Sequence, residues 1–390
     1  MASILVTDGE QRAALAVVRS LGRAGHRVFV CSTRSRPLAG ASRYAKNAFP
    51  VPDPLGRPAA FADEVGRLVR CLRADLLLPV ADASATALLP RRERFLPAVI
   101  PYPAWESYAR ISDKACALGA AAAVGIAVPA STVLTAPTDA TPPTGLRFPL
   151  VIKPTRATAG AVAGRSRLPA RYAWDAAELA AHLGATPAEA YPLLLQERIV
   201  GPGLGVFLLI WNGALVAAFG HRRLREKPPS GGASVLCQSE ALDPDLLARS
   251  RALLDRFDWS GVAMVEYKLH SETGVPYLME VNGRFWGSLQ LAADAGVDFP
   301  ALLVAAAQGG TAGPPPDYRI GLRSRWWWGS VDHLIARLRA GNSGAAGPAS
   351  RARVLLDAIS LLRPAPSSNV FKVYDPLPFL HETVSWCARR

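Results

Sequence analysis

The chain has 390 residues and a mass of 41.4 kDa; half of it is apolar and 19% is charged, which excludes a disordered chain and is enough for two or three domains. Lys+Arg exceeds Asp+Glu by 44 − 31 = +13, but the excess is arginine scattered along the chain with only six lysines, so it reads as a solvated basic surface and not as a track for nucleic acid. Five separated cysteines without a C-x-x-C pair exclude a zinc ribbon or a redox dithiol and fit a reduced, cytoplasmic setting; with no apolar run of about 18 residues and no leader pattern, neither a membrane span nor a signal peptide is expected.

In chain order, 3–6 (SILV) predicts a buried strand, 11–24 a helix and 27–31 (RVFVC) a second strand, together a β-α-β unit. Residues 60–73 predict a helix, 76–80 a buried strand and 94–102 one more short strand, so 1–105 form a small open α/β domain. Its first turn, T-D-G-E-Q-R, has a single glycine and no G-x-G-x-x-G, so a nicotinamide dinucleotide is not expected there. An Ala-rich helix follows over 112–124 with Ser112 as its cap, then a Pro/Thr loop at 136–143. Residues 148–154 (FPLVIKP) form a strand ending at Lys153-Pro154, and 155–164 a loop of small residues. After a helix at 175–183, the stretch 191–200 (YPLLLQERIV) contains a strand. Two hairpins come next: 205–211 with 214–220 about Asn212-Gly213, and 261–269 with 275–282 about 272–274, separated by a helix at 245–257. Helices at 288–295 and 300–308 precede a Gly/Pro/Ser-punctuated extension over 313–390 that contains Trp326-Trp327-Trp328, read as packing.

The second hairpin carries chemistry. With 272–274 as its loop, Ser271 stands opposite Val275 and Glu266 opposite Glu280; Asn282 shares their face, because side chains two apart on a strand point the same way. Two carboxylates and an amide side by side in an apolar hairpin are costly without a cation, and three oxygen donors suit Mg²⁺. A solvated polar face on an antiparallel sheet is the alternative. Two of the scarce lysines argue for the cation: Lys153 ends a buried strand before a small-residue loop, and Lys114 opens a helix in I-S-D-K.

The succession D-K, V-I-K-P, Q-E-R-I-V-G, M-V-E-Y and M-E-V-N-G-R-F-W-G-S over about residues 1–310 resembles the ATP-grasp superfamily, and the tract 205–240 with G-H-R-R-L-R-E-K-P-P-S-G-G-A-S resembles its bacterial carboxylate–amine ligase-like members. The resemblance implies an α/β chain with an ATP-grasp fold: a Rossmann-like pre-ATP-grasp domain at 1–105, a lid-side subdomain at 106–194, a metal-binding subdomain at 195–312 and a C-terminal extension at 313–390. It implies that Lys114 and Lys153 contact ATP phosphates, that Gln196, Glu197 and Ile199 run along the adenine, and that Glu266, Glu280 and Asn282 bind Mg²⁺, with Mn²⁺ as a substitute. Arg284, and Arg222 or Arg223 beside it, would neutralise the transferred phosphoryl group. The implied reaction activates a small carboxylate as an acyl phosphate and couples it to an amine, with no nucleic acid or membrane partner and compatibly with homo-oligomerisation.

Departures from that pattern are the glycine-poor loop at 155–164 and Pro202, where an acidic ribose ligand is common. Acid and amine pockets are expected in 228–239 and 285–288, and His221 is expected to be structural. An inactive ATP-binding relative, a nicotinamide oxidoreductase and a nucleic-acid binder stand as alternatives; the last lacks aromatics within its densest basic cluster, 222–225.

Overall fold

The computed structural model describes residues 1–137, 145–156, 170–229, 231–310, 313–340, 358–359 and 366–389. Its first unit follows from runs of apolar residues that only a sheet covered on both faces can bury. β1 (Ser3–Val6) pairs in parallel with β2 (Arg27–Ser32) and β4 (Leu76–Leu78), and β3 (Ala45–Pro50) completes the order β3-β2-β1-β4. Helix α1 (Arg12–Arg23) supplies the crossover, burying Leu15, Val17, Val18 and Leu21, and α2 (Pro58–Leu72) packs with Phe61, Val65 and Leu68 inward. A strand at 94–102 does not form: Leu89–Phe95 is a 3₁₀ stretch, and Val99 makes only a single bridge to Leu76. β3 was not anticipated because AKNAFP is a half-exposed edge with no apolar run.

A helix α3 (Asp82–Leu88) follows β4, then α4 (Trp105–Ser112) and α5 (Lys114–Ala122). The cap of α5 is Asp113, whose carboxylate accepts from the Ala115 and Cys116 N–H groups; Ser112, the expected cap, instead closes α4. Next comes a small antiparallel sheet in the order β5-β8-β6-β7, made of β5 (Ser131–Leu134), β6 (Leu150–Pro154), β7 (Arg171–Ala173) and β8 (Leu193–Glu197). Helix α6 (Ala176–Gly184) covers one face, joining Leu179 and Leu183 to Leu150, Ile152 and Leu195 in a separate core. This sheet therefore continues to Glu197, past the expected boundary at 194. The loop at 155–164 lies outside the described residues beyond Arg156, as do most of the loop at 136–143 and the connector at 341–350.

The third layer is a seven-stranded sheet, β13-β12-β9-β10-β11-β14-β15. β9 (Gly203–Trp211) and β10 (Ala214–Lys227) meet at Asn212 and Gly213, whose φ angles of 49° and 76° are both left-handed, as the Asn-Gly hairpin turn requires. β10 runs on to Lys227 instead of stopping near 220, and β11 (Ala233–Glu240) pairs with that extra length. After α7 (Pro244–Asp255), β12 (Gly261–Leu269) and β13 (Pro276–Asn282) form the second hairpin, and α8 (Leu289–Ala295) and α9 (Phe299–Ala307) bury against the first unit's core.

Residues beyond 313 are not a detached appendage. β14 (Arg323–Arg325) and β15 (Ser367–Ser368) extend the large sheet, and α10 (Trp327–Ala340) stacks Trp328 on Trp386 of α11 (Leu377–Cys387), ring centroids 4.2 Å apart. Just before α11, buried Asp375 takes the Arg19 Nε at 2.8 Å, the Ser42 hydroxyl at 2.7 Å and the Arg43 N–H at 3.0 Å. No single helix among the described residues is long and apolar enough to cross a membrane.

Candidate active site

The β12–β13 hairpin sets the geometry. Glu266 stands directly opposite Glu280, Val265 opposite Val281 and Met264 opposite Asn282. The route to that register differs from the expected one. The turn is a residue longer, because the His270 N–H donates to the Val275 carbonyl, and a bulge between Glu266 and Tyr267 leaves Met279 unpaired and restores the alignment. A bulge inserts one residue and re-aims the side chains beyond it. Without it, Glu280 would face away from Glu266.

Cations from three other elements converge on the pair. Lys114, at the start of α5, brings Nζ to 3.5 Å from Glu280 Oε2. Arg223, on β10, reaches Glu266 at 2.6 Å and Glu226 at 3.0 Å. Arg284 lies just past β13; its Nε donates to Asp82 of α3 at 2.8 Å, and its two Nη atoms donate to Asn282 Oδ1 and the Phe285 carbonyl, each at 2.9 Å. Asn282 Nδ2 in turn donates to Glu280 at 3.0 Å. Lys153, on β6, donates to Gln196 Oε1 at 2.9 Å and has no carboxylate within ion-pair distance among the described residues.

The titration of these groups follows from burial and charge. Burial alone would raise the Glu280 carboxyl, but Lys114 and Lys153 outweigh it and hold the group down at about 2. Burial and the neighbouring Glu280 charge push Glu266 up despite Arg223. Burial also lowers Lys153 to about 8, since Glu280 only partly compensates the lost hydration. The oxygen donors Glu266, Glu280 and Asn282 form a hard set that fits a magnesium ion, whereas no cluster of three His, Cys, Asp or Glu that could hold a metal occurs among the described residues.

Two cavities meet at this pair. One, of about 290 Å³, lies between the small sheet and the hairpin and is lined by Lys153, Tyr172, Gln196, Glu197, Ile199 and Met279. The other, of about 240 Å³, lies between the first unit and the segment after β13; Arg12, Ala81, Ser234, Asn282, Arg284 and Trp286 line it. Arg223, Glu266 and Glu280 border both. Of the sequence candidates, Lys153, Gln196, Glu197 and Ile199 thus share the first cavity, Asn282 and Arg284 the second, and Lys114 stands at Glu280.

Arg222 is not brought in. Side chains alternate along β10, so Arg222 turns to the opposite face and pairs with Glu240 at 2.9 Å, leaving Arg223 as the arginine of the site. His221 shares Arg223's face but lines neither cavity; it packs edge-on to Phe207, approaches Ser288 at 3.4 Å, and burial lowers its pKa to about 3, so it is neutral. The expected substrate loops contribute at 231–234 and 285–288. Sequence reasoning missed Asp82, which orients Arg284, and Arg12. The signal for both is position: they follow the carboxyl ends of β4 and β1, where open α/β sheets bind ligands.

Residues 189–328 match the family model described as ATP-grasp in the biosynthetic pathway with Ter operon. No curated protein matches the chain by sequence. Among solved structures, the chain resembles Rhizobium etli pyruvate carboxylase T882A with the allosteric activator acetyl coenzyme-A (TM-score 0.65, 17% identity, covering 83% of this chain and 32% of that one). It also resembles L-amino acid ligase from Bacillus licheniformis (TM-score 0.60, 16% identity, 78% and 73%). A third is the biotin carboxylase domain dimer of Hydrogenobacter thermophilus 2-oxoglutarate carboxylase, in complex with MgADP, ADP and bicarbonate (TM-score 0.63, 14% identity, 83% and 73%). The chain spans about a third of the pyruvate carboxylase, 32%. The fold is that of the ATP-grasp proteins, as the motif succession implied.

Proposed function

We propose that this chain with an ATP-grasp fold is an ATP-dependent ligase that phosphorylates a small carboxylate and couples the resulting acyl group to an amine. The observation that carries it is the meeting of two cavities at the Glu266–Glu280 pair, with Lys114, Lys153, Arg223 and Arg284 around it. The lid-side cavity has the lining expected of a nucleotide site: a lysine without a carboxylate partner among the described residues, the amide of Gln196 with its Nε2 unsatisfied, and the apolar residues Ile199 and Met279. The second cavity is where a carboxylate can approach the same pair.

In the first step a carboxylate oxygen of the substrate forms a bond to the γ-phosphorus of ATP, the bond from that phosphorus to the bridging oxygen breaks, and ADP leaves. In the second, the amine lone pair adds to the acyl carbon, phosphate departs with the C–O bonding pair, and the amine gives up a proton. Glu266, Glu280 and Asn282 would hold magnesium, which when bound with ATP neutralises phosphate charge. Lys114 and Lys153 would hold the phosphates. Arg284, kept in place by Asp82, would meet the charge on the transferring oxygens, for which its planar fork is suited. None of these steps asks for a covalent nucleophile on the protein, consistent with the burial and neutrality of His221.

The test is phosphate release from MgATP by the full chain across a panel of amino acids and small acids, singly and in pairs. Amine-dependent release that is lost in Glu280→Gln supports the ligase. Release that needs no amine, or that survives the substitution, overturns it.

A further inference from the structure

The second cavity contains a charge for which phosphoryl transfer has no use. Arg12 opens helix α1 and lines the wall supplied by the first unit. Its guanidinium carbon sits 3.9 Å from the centroid of the Trp326 ring, and its Nη2 would lie only 3.1 Å from a Cβ placed on Gly287, so it is held between a ring and a backbone. Its Nη1 is buried with no hydrogen-bond partner; Glu382, which accepts from the Trp326 Nε1, acts on it through space, but no carboxylate forms an ion pair with it among the described residues. The Nε1 of Trp286, which is 2% exposed and lines the same cavity, has no partner either. The N-terminus of α1 is uncapped: Gln11 makes no side-chain bond to it, and its first turn has no acidic residue. An uncapped helix start, a guanidinium and an indole N–H around one cavity are donors without an acceptor. Such a set selects an anion.

We propose that Arg12 receives a spectator carboxylate: a carboxylate of a small substrate that is bound but never phosphorylated. This rests on the ligase reading for the other end of the cavity, where the reacting carboxylate must reach Glu266, Glu280 and Arg284. A monoanionic acid placed there leaves the buried Arg12 guanidinium with only the through-space charge of Glu382 and no ion pair, which is expensive. A sphere of 240 Å³ is about 8 Å across, the scale of an amino acid or a short dicarboxylic acid and below the usual range for larger ligands. The spectator group has two sources, the far carboxylate of a dicarboxylic acid or the carboxylate of an amino acid that supplies the amine. Both pair with a guanidinium in the same bidentate way.

The test is equilibrium binding, so it does not depend on turnover. Succinate, glutarate and L-alanine, with butyrate, valerate and ethylamine as partners lacking one carboxylate, are titrated by calorimetry into the full chain with and without MgADP. We expect at least one carboxylate-bearing probe to bind with a sub-millimolar Kd and its truncated partner to bind at least about tenfold more weakly. Succinate or glutarate binding identifies the acid as the source; L-alanine binding identifies the amine. Arg12→Gln should weaken the binding probe about 30-fold or more, Arg12→Lys less, and Gly287→Ala should weaken it by crowding the guanidinium, while MgATP affinity stays within about threefold in all three. No binding by any probe, or equal binding by wild type and Arg12→Gln, overturns the proposal. Failure of the ligase reading shows elsewhere, as absent MgATP binding or amine-independent phosphate release.

Discussion

Lys153 and Arg12 stand on opposite sides of the same carboxylate pair. Each is a cation lining a cavity without a carboxylate partner among the described residues. Burial lowers both, Lys153 to about 8 and Arg12 to about 10. They are held differently. Lys153 is on a flexible stem at the end of a strand in the small sheet, held by hydrogen bonds to Gln196 Oε1 at 2.9 Å and, at 3.5 Å, to the Met279 carbonyl. Arg12 is clamped by Trp326 from a segment more than 300 residues away in sequence. A point charge on a movable arm suits phosphates that arrive and depart with the nucleotide; a rigid planar fork suits one ligand of fixed shape. On the proposed reading the two halves of the site divide the work, nucleotide on one side and small acid or amine on the other.

Mutations can break that division or sharpen it. The largest effect should come at the shared border: Glu280→Gln is expected to lower kcat by about 10³-fold or more while leaving the far-ultraviolet circular dichroism unchanged, and retention of a tenth of the rate, a barrier difference of ~1.4 kcal/mol, removes Glu280 from the chemistry. Next is Arg284→Ala, expected to cost about 10²-fold in kcat with ATP affinity changed less than tenfold; steady-state kinetics beside equilibrium nucleotide binding checks it, and a loss of ATP binding with normal kcat would place Arg284 with the nucleotide instead. Lys153→Gln should raise the KM for ATP by about 10-fold and leave the KM for the small acid alone; the reverse pattern would dissolve the distinction between the cavities.

The smallest effect concerns His221, outside both. Its folded pKa of about 3 lies below its unfolded value of about 6.5, so between those values the unfolded chain binds the extra proton. Stability should accordingly be full above about pH 6.5 and fall as pH drops, by up to ~1.4 kcal/mol per pH unit from this group. Urea titrations of wild type and His221→Gln at pH 7, 6 and 5 should diverge by that slope. Parallel curves would show that the imidazole is protonated in the fold.

That Lys153, Gln196, Glu197 and Ile199 belong to one site was legible because they lie in or beside strands with contiguous signatures. V-I-K-P and Q-E-R-I each mark a strand, but that Lys153 stands opposite Leu194 and donates to Gln196 is a register only the structure supplies. Glu266 facing Glu280 was also foreseen, although two unforeseen features, a longer turn and a bulge, had to cancel for it to hold. Bulges leave no distinctive residue in M-E-V-N, so no count along the chain could supply them. On the other side Asn282, Arg284 and the loops that hold Ser234 and Trp286 are expected from the sequence, whereas Arg12 and Asp82 are not. Arg12, Asp82, Ser234 and Trp286 come from four separate stretches, brought together only by packing of the first unit against the hairpin sheet. Arg222 and Arg223 were not distinguished because the expected strand stopped before them, leaving no parity to assign. The segment beyond 313 reads by composition as an extension, yet its three-residue strand β14 pairs with β11, and a strand that short has too few residues to show alternation.

The Arg19–Asp375 pair has a temporal meaning. The guanidinium sits inside α1, and its carboxylate lies 356 residues later in the chain. At 5–20 residues per second of synthesis, the interval between the two is on the order of 20–70 s. Throughout it, the guanidinium lacks the groups that bond it in the finished fold, since its hydrogen-bond partners there are Asp375 and the Val370 carbonyl. The first unit therefore acquires this buried ion pair only when the far end of the chain folds back onto it, and the fold closes like a ring whose clasp is made last.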